Sequence, residues 1–165
     1  MTLPPSLRRA VARALALLAL AACGPEGAAP ASDAPAGVAA AAAPPLPRAA
    51  MRRLVDSVDH IDYLFYELEF SMSLDEARGV RYALAQVGEQ TASLAPTCRP
   101  IGRVIYQIGG RIAAEADLYF APGCTGFAFV DDTGAAAHVN AMSEVGKDFL
   151  NNQFAQLIDG FQPVP

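Results

Sequence analysis

Apolar and polar positions alternate with a period of two along Val104, Tyr106 and Ile108, and again along Ile112, Ala114, Ala116, Leu118 and Phe120; Arg103, Gln107, Arg111, Glu115 and Asp117 fall between them. That is the period of a half-buried strand, so two strands are predicted. Gly109-Gly110 lies between them and joins them as a hairpin. Its register follows from keeping the apolar set on one face. A two-residue loop would put Ile108 opposite Arg111. A three-residue loop of Ile108, Gly109 and Gly110 keeps the faces apart and sets Arg103 across from Glu115. Pro122-Gly123 then turns the chain into a third strand carrying Phe127 and Phe129. Asp131-Asp132-Thr133-Gly134 suits a three-residue loop built on a type I turn with a bulge. The fourth strand is expected to bring Val139 beside the two phenylalanines, leaving His138 near Ala128 on the surface.

The period lengthens on either side of this meander. Ser73-Leu74-Asp75-Glu76 has the spacing of a capping box, with Leu74, Ala77, Leu84 and Val87 following at helical intervals and Gly88 as the exit. A second helix is predicted from Ser143, because Val145, Phe149, Leu150, Phe154, Leu157 and Ile158 fall on one stripe. In the aromatic segment 58–70 the ring content favours a strand from about Ile61, while continuity with Met51 to Val58 allows a helix. The expected fold is α+β: a four-stranded antiparallel meander plus an N-terminal strand, with two helices packed on one sheet face. About 115 residues, 51–165, are enough for one core and a single domain.

The first fifty residues follow neither period. Arg8, Arg9 and Arg13 precede an apolar run from Ala14 to Ala22, which Cys23 and Gly24-Pro25-Glu26-Gly27 end. A basic start, a short apolar middle and small residues before a cut make an export signal over residues 1–22. The run is too short to span a bilayer, which takes roughly 20 apolar residues. Its last four residues, Leu20-Ala21-Ala22-Cys23, resemble the lipobox of bacterial lipoproteins. That resemblance implies that Cys23 carries a diacylglyceryl thioether, becomes the N-terminus after cleavage and gains a further acyl chain. Several chains are what a lasting anchor needs, since one holds a protein only marginally. Gly24 in place of Asp implies, for a Gram-negative host, delivery to the outer membrane. Residues 23–50 are rich in Ala and Pro and hold almost nothing from which a core is built. They are expected to form a semi-stiff tether, up to about 80 Å long when fully extended.

Charge and cysteines narrow the setting. With the three early arginines removed, nine of the twelve Lys/Arg remain against seventeen Asp/Glu, a mature charge of about −8. Nucleic acid is therefore an unsuitable partner, because phosphate binding draws on clustered cations; an anionic membrane surface is disfavoured as a direct contact on the same count. Setting Cys23 aside for lipid leaves Cys98 and Cys124. An even remainder in an exported chain is expected to form one disulfide. In an up-down-up meander the two cysteines share one end of the sheet. Two strand spacings of about 10 Å still exceed the reach of a bridge, so residues 98–100 must curl over the middle strand.

Candidate chemistry is sparse. Asp56, Asp59, His60 and Asp62 lie close in sequence, but alternation along a strand lets only His60 and Asp62 share a side, which points to a solvated polar edge rather than a metal site. Ser71 and Ser73 have no nucleophile elbow around them, and no zinc-protease, phosphate-loop or dinucleotide motif occurs. Glu115 and Asp117 are two positions apart on one strand, whereas a glycosidase sets its carboxylates across a cleft; with Arg103 and Arg111 they form a cross-strand charge ladder. Tyr63, Phe65, Tyr66, Phe70, Tyr106, Tyr119 and Phe120 are expected in the core, and the outward side of segment 60–72 is a candidate partner surface if it is an edge strand. The function expected from the sequence is that of a lipid-anchored envelope protein with a non-catalytic interaction or assembly domain. It would need no cofactor or metal, would meet the membrane through Cys23, and would bind an envelope protein. The alternatives are a small-ligand-binding lipoprotein and, after it, an envelope hydrolase.

Overall fold

The computed structural model describes residues 43–165; the leader, Cys23 and the first part of the tether lie outside the described residues. In chain order these form α1 (Arg48–Ser57), β1 (His60–Phe65), β2 (Ser71–Leu74), α2 (Ala77–Leu84), β3 (Val87–Thr91), β4 (Gly102–Ile108), β5 (Arg111–Ala121), β6 (Cys124–Val130), β7 (Ala136–Met142) and α3 (Glu144–Leu157). The strands join one antiparallel sheet in the order β2-β1-β4-β5-β6-β7-β3. The fold is α+β, with the meander β4 to β7 at its centre and the aromatic segment as the strand β1. No helix among the described residues is long and apolar enough to cross a membrane.

The structure departs from the sequence expectation first in its elements and their bounds. There are three helices, α1 being additional, and two further strands, β2 and β3, close the sheet at its edges. The boundary expected at residue 50 falls inside α1. Residues 43–46 are already folded: the Val139 amide donates to the Pro44 carbonyl and the Leu46 amide to Asn140 Oδ1. The apparent capping box is not one. Ser73 belongs to β2, and α2 starts only at Ala77, after Glu76, with no side-chain cap. Gly88 lies within β3 rather than at a helix exit, and its missing side chain lets the Ala141 carbonyl approach within 2.8 Å of where a Cβ would stand.

The two hairpin registers depart from the sequence expectation as well. Gly109 and Gly110 both have positive φ (57° and 74°), so β4 and β5 are joined by a two-residue turn and Ile108 does face Arg111. Such turns match the twist of the strands. Beyond Gln107–Ile112 the ladder shifts by one residue, to Tyr106–Ala114. That bulge restores the apolar face, burying Val104, Tyr106, Ala116, Leu118 and Phe120 while Ile112 is turned out. Arg103 consequently faces Asp117, not Glu115. Between β6 and β7 the expected three-residue loop forms, with Gly134 at φ 81°. A bulge at Phe129/Val130 then reverses the side of every later residue. Val139 pairs with Ala128 on the outer face, away from Phe127 and Phe129, and His138 faces Phe129, partly buried rather than on the surface.

All three helices pack on one sheet face. Leu54 and Val58 of the α1 end, Val80, Ala83 and Leu84 of α2, and Leu150 and Phe154 of α3 cover the inward residues of β1 and β4 to β7. Ser143 is the expected cap of α3: its Oγ accepts from the Gly146 amide and donates to the Ala85 carbonyl, tying α3 to the end of α2. A smaller cluster occupies part of the outer face, where Ala92, Leu94 and Cys98 lie over Tyr119, Ala128 and Val139. The Cys98–Cys124 disulfide, with Cα atoms 5.6 Å apart, pins this covering segment to the start of β6.

Candidate functional site

The covering segment leaves the β2-β1-β4-β5 half of the outer face open. Two rows of side chains cross it, set by the strand pairings: Ser73, Asp62, Ile105 and Glu115 in one, Ser71, Leu64, Arg103 and Asp117 in the next. The edge strand is β2 rather than β1, the strand on which the expected partner surface rested. The outward side of β1 nevertheless remains accessible, with Leu64 43% and Tyr66 40% exposed.

Asp62 is one hub of this surface. Its Oδ1 accepts from Ser73 Oγ at 2.5 Å and lies 3.0 Å from His60 Nε2, while its Oδ2 accepts from Gln107 Nε2 at 2.8 Å. As expected, His60 and Asp62 share a side; Asp59 turns elsewhere and accepts from the Gly109 amide. Burial alone would raise the Asp62 carboxyl, but the hydrogen bonds from Ser73 and His60, the charge of His60 and the bond from Gln107 outweigh it and hold the carboxyl below its ordinary value. Serine, aspartate and histidine therefore meet here in an order unsuited to nucleophilic catalysis. The serine proton points at a weakly basic carboxylate, and the imidazole contacts the carboxylate rather than the serine.

This hub makes the fold sensitive to acid. The folded-state pKa of Asp62 is depressed, so the stability it contributes is present above the ordinary carboxylate value and is lost as pH falls through the folded value. Ser73→Ala removes one donor. The carboxyl midpoint should rise, and acid unfolding should begin at higher pH. An NMR titration of the Asp62 side-chain carboxyl tests this, and an unchanged midpoint would show that Ser73 does not hold it down.

Arg103 is the second hub. Its Nε and Nη2 donate to Asp117 Oδ1 at 3.1 and 2.8 Å, and its Nη1 donates to Glu115 Oε2 at 3.1 Å. Tyr66 Oη donates to the same Asp117 oxygen at 3.2 Å. Burial, together with the Asp117 charge, raises the Tyr66 phenol above its ordinary value, so it stays a donor at neutral pH. Of the cross-strand charge ladder expected around Glu115 and Asp117, the Arg103 part is present, whereas Arg111 pairs across with Ile108 and takes no part; both carboxylates are taken up by one guanidinium rather than facing each other across a cleft.

His60 and His138 do not converge. The pairings put His60 on the outer face with Gln107 and His138 on the inner face with Phe129. Among the described residues no three His, Cys, Asp or Glu side chains group as metal ligands. The rings of the aromatic segment are mostly core: Tyr63 and Phe65 are buried, as is Tyr106 of β4 beside them, and Phe70 packs 4.9 Å from Phe65. Sequence reasoning found the His60–Asp62 pairing through alternation. It missed Ser73 and Gln107, whose places depend on which strands lie side by side. Compared with protein-family models, with curated proteins and with solved structures, the chain has no match.

Proposed function

We propose that this chain is a lipid-anchored interaction module of a bacterial cell envelope, held through acylated Cys23 at the outer membrane and facing the periplasm. The address is supported by Leu20-Ala21-Ala22-Cys23 and by the Cys98–Cys124 bridge, since disulfides persist in oxidising compartments. The interaction role is carried by one observation: Leu64 and Tyr66 stand exposed within a frame of side chains already tied to one another through Asp62 and Arg103. Ordered polar groups around an accessible apolar centre lose little conformational freedom when a partner covers them. The site acts by docking, and its hydroxyl, imidazole and carboxylates serve to hold the surface in shape.

The test joins anchor and surface. Mass spectrometry of the native protein should find acylated Cys23 as the N-terminal residue, and a photo-crosslinker at position 64 should give a discrete adduct with an envelope protein that Tyr66→Asp abolishes. An unacylated chain cut at another bond overturns the address. A crosslinking pattern unaltered by Tyr66→Asp overturns the docking surface. A second reading, a lipoprotein that takes a small apolar ligand, draws on a groove of about 260 Å³ beside Leu68, Ile101, Phe120 and Phe161. It is the weaker reading, because Phe120 and Phe161 already pack edge-on against Phe154, with ring centres 5.6 and 5.5 Å away.

A further inference from the structure

The two edges of the sheet are not alike. At one, β3 is interrupted by a register shift between Val87 and Thr91 and carries exposed Glu89, devices that guard an edge against a further strand. At the other, Ser71-Met72-Ser73-Leu74 of β2 holds no charge, no proline and no register shift. The direction of its backbone groups follows from β1. The Leu64 carbonyl approaches Gly102 of β4 and the Tyr66 amide donates to the Ile101 carbonyl, so the even-numbered residues of β1 bond to β4. Hydrogen-bonded pairs alternate along an antiparallel ladder, which leaves Ile61 and Tyr63 to bond Leu74 and Met72. The N–H and C=O groups of Ser71 and Ser73 are therefore turned out of the sheet, where no backbone group meets them among the described residues. Both side chains are exposed on the outer face, beside Leu64 and Asp62.

Charge selects what can pair there. Glu69 precedes β2, Asp75 and Glu76 follow it, all three exposed, and Asp62 lies next to Ser73. Glu69, Asp75 and Glu76 make no ion pair among the described residues. The cations around them are placed elsewhere. Arg78 stands on the side of α2 opposite buried Val80 and Ala83, beyond the inner layer rather than over the outer face. Arg99 shares a groove with Glu67, and Arg103 is committed to Asp117 and Glu115. A second copy of this chain is unsuited to the edge, because pairing Ser71 with Ser73 across a two-fold axis sets Glu69 against Asp75 of the other copy. We propose that β2 receives an added strand from the envelope partner, a segment with an uncharged extended centre, an apolar side chain reaching Leu64 across Ser71, and Lys or Arg at both ends. This deepens the docking reading and rests on it: the added strand lengthens the sheet while its outward side chains cover Leu64 and Tyr66. Main-chain hydrogen bonds supply affinity in this mode and complementary charges supply selection.

The complete mature chain, with Cys23→Ala so that it carries no acyl group, is titrated with the capped peptide Lys-Lys-Thr-Val-Thr-Val-Lys-Lys. The amide signals of Ser71 and Ser73 should shift saturably and exchange more slowly. Affinity is expected to fall roughly threefold or more at high salt, or with Glu69→Gln and Asp75→Asn together, exposed changes that should leave the melting temperature unchanged. Two twin peptides N-methylated at alternate residues, one in each phase, keep the charge, and at least one should lose binding because a strand pairs along a single edge. Undiminished binding of both twins, or of a peptide with Glu in place of every Lys, overturns the added strand, as does silence at Ser71 and Ser73. Ser71→Pro, which removes one outward N–H where β2 begins, separates the strand from docking alone. With the crosslinker at position 64, loss of the adduct in Ser71→Pro at an unchanged melting temperature supports strand addition. An adduct that survives Ser71→Pro yet is abolished by Tyr66→Asp overturns it and leaves the docking face standing.

Discussion

Phe154→Ala is expected to remove about 3–5 kcal/mol of folding stability, the cost of truncating a fully packed aromatic side chain. Phe154 is 3% exposed and lies at the centre of a ring cluster, with Phe65, Phe120 and Phe161 at centroid distances of 5.4, 5.6 and 5.5 Å, all near edge-on. The three partners come from β1, β5 and the tail after α3, so one ring joins elements far apart in sequence. An alanine leaves a void that none of them can fill without leaving its own rotamer. Against a total of about 5–15 kcal/mol for a domain of this kind, the loss takes a large share. Chemical denaturation reads it directly. Leu157→Ala, one turn away at a position 54% exposed, should change stability by only about 0.5 kcal/mol or less. Equal effects at the two positions would mean that α3 does not pack as described.

Opening the Cys98–Cys124 bridge is the second large effect. The two cysteines are 26 residues apart, and in the chain-entropy picture closing a loop of that length contributes about 3.5 kcal/mol by restricting the unfolded chain. The paired Cys98→Ala, Cys124→Ala variant should lose about that much in equilibrium unfolding, with a local consequence as well. The bridge secures the segment holding Ala92 and Leu94 over Tyr119, Ala128 and Val139. That cluster is small, and between Thr91 of β3 and Gly102 of β4 the bridge is the covalent tie of its cover to the sheet. Amide exchange at Tyr119 and Val139 should therefore accelerate more than at Leu118 and Val104, which belong to the main core. A loss below about 1 kcal/mol would indicate that the unfolded chain is already compact around these residues.

The meander was the most readable part of the chain. Alternation along β4 and β5, the Gly-Gly and Pro-Gly turns and the Asp131–Gly134 loop are local signals, and each marked a turn that forms. The registers were less readable, for a physical reason. A bulge adds one residue to one strand, and its cost is recovered only where a distant face is buried. The bulge near Ala114 let the short Gly-Gly turn coexist with the segregated apolar face, a combination that a strict alternation could not accommodate. The bulge before Val130 moved Val139 and His138 to faces opposite those expected.

The candidate site divides along the same line. That His60 and Asp62 share a face follows once segment 60–65 is a strand, a choice the sequence left open against a helix; the sequence did determine the cap at Ser143 and the pairing of Cys98 with Cys124. Only the tertiary structure decided that Ser73 caps nothing and donates to Asp62, that Gln107 completes that hub, and that Arg103 gathers both Asp117 and Glu115. A capping box and an edge strand place similar demands on a serine, and the choice falls to whichever acceptor the fold brings nearer. Here it is a carboxylate on the neighbouring strand. Side-chain periodicity is set within a few residues of backbone, whereas hydrogen-bond partners and edge strands are chosen by elements that meet only once the chain has closed on itself.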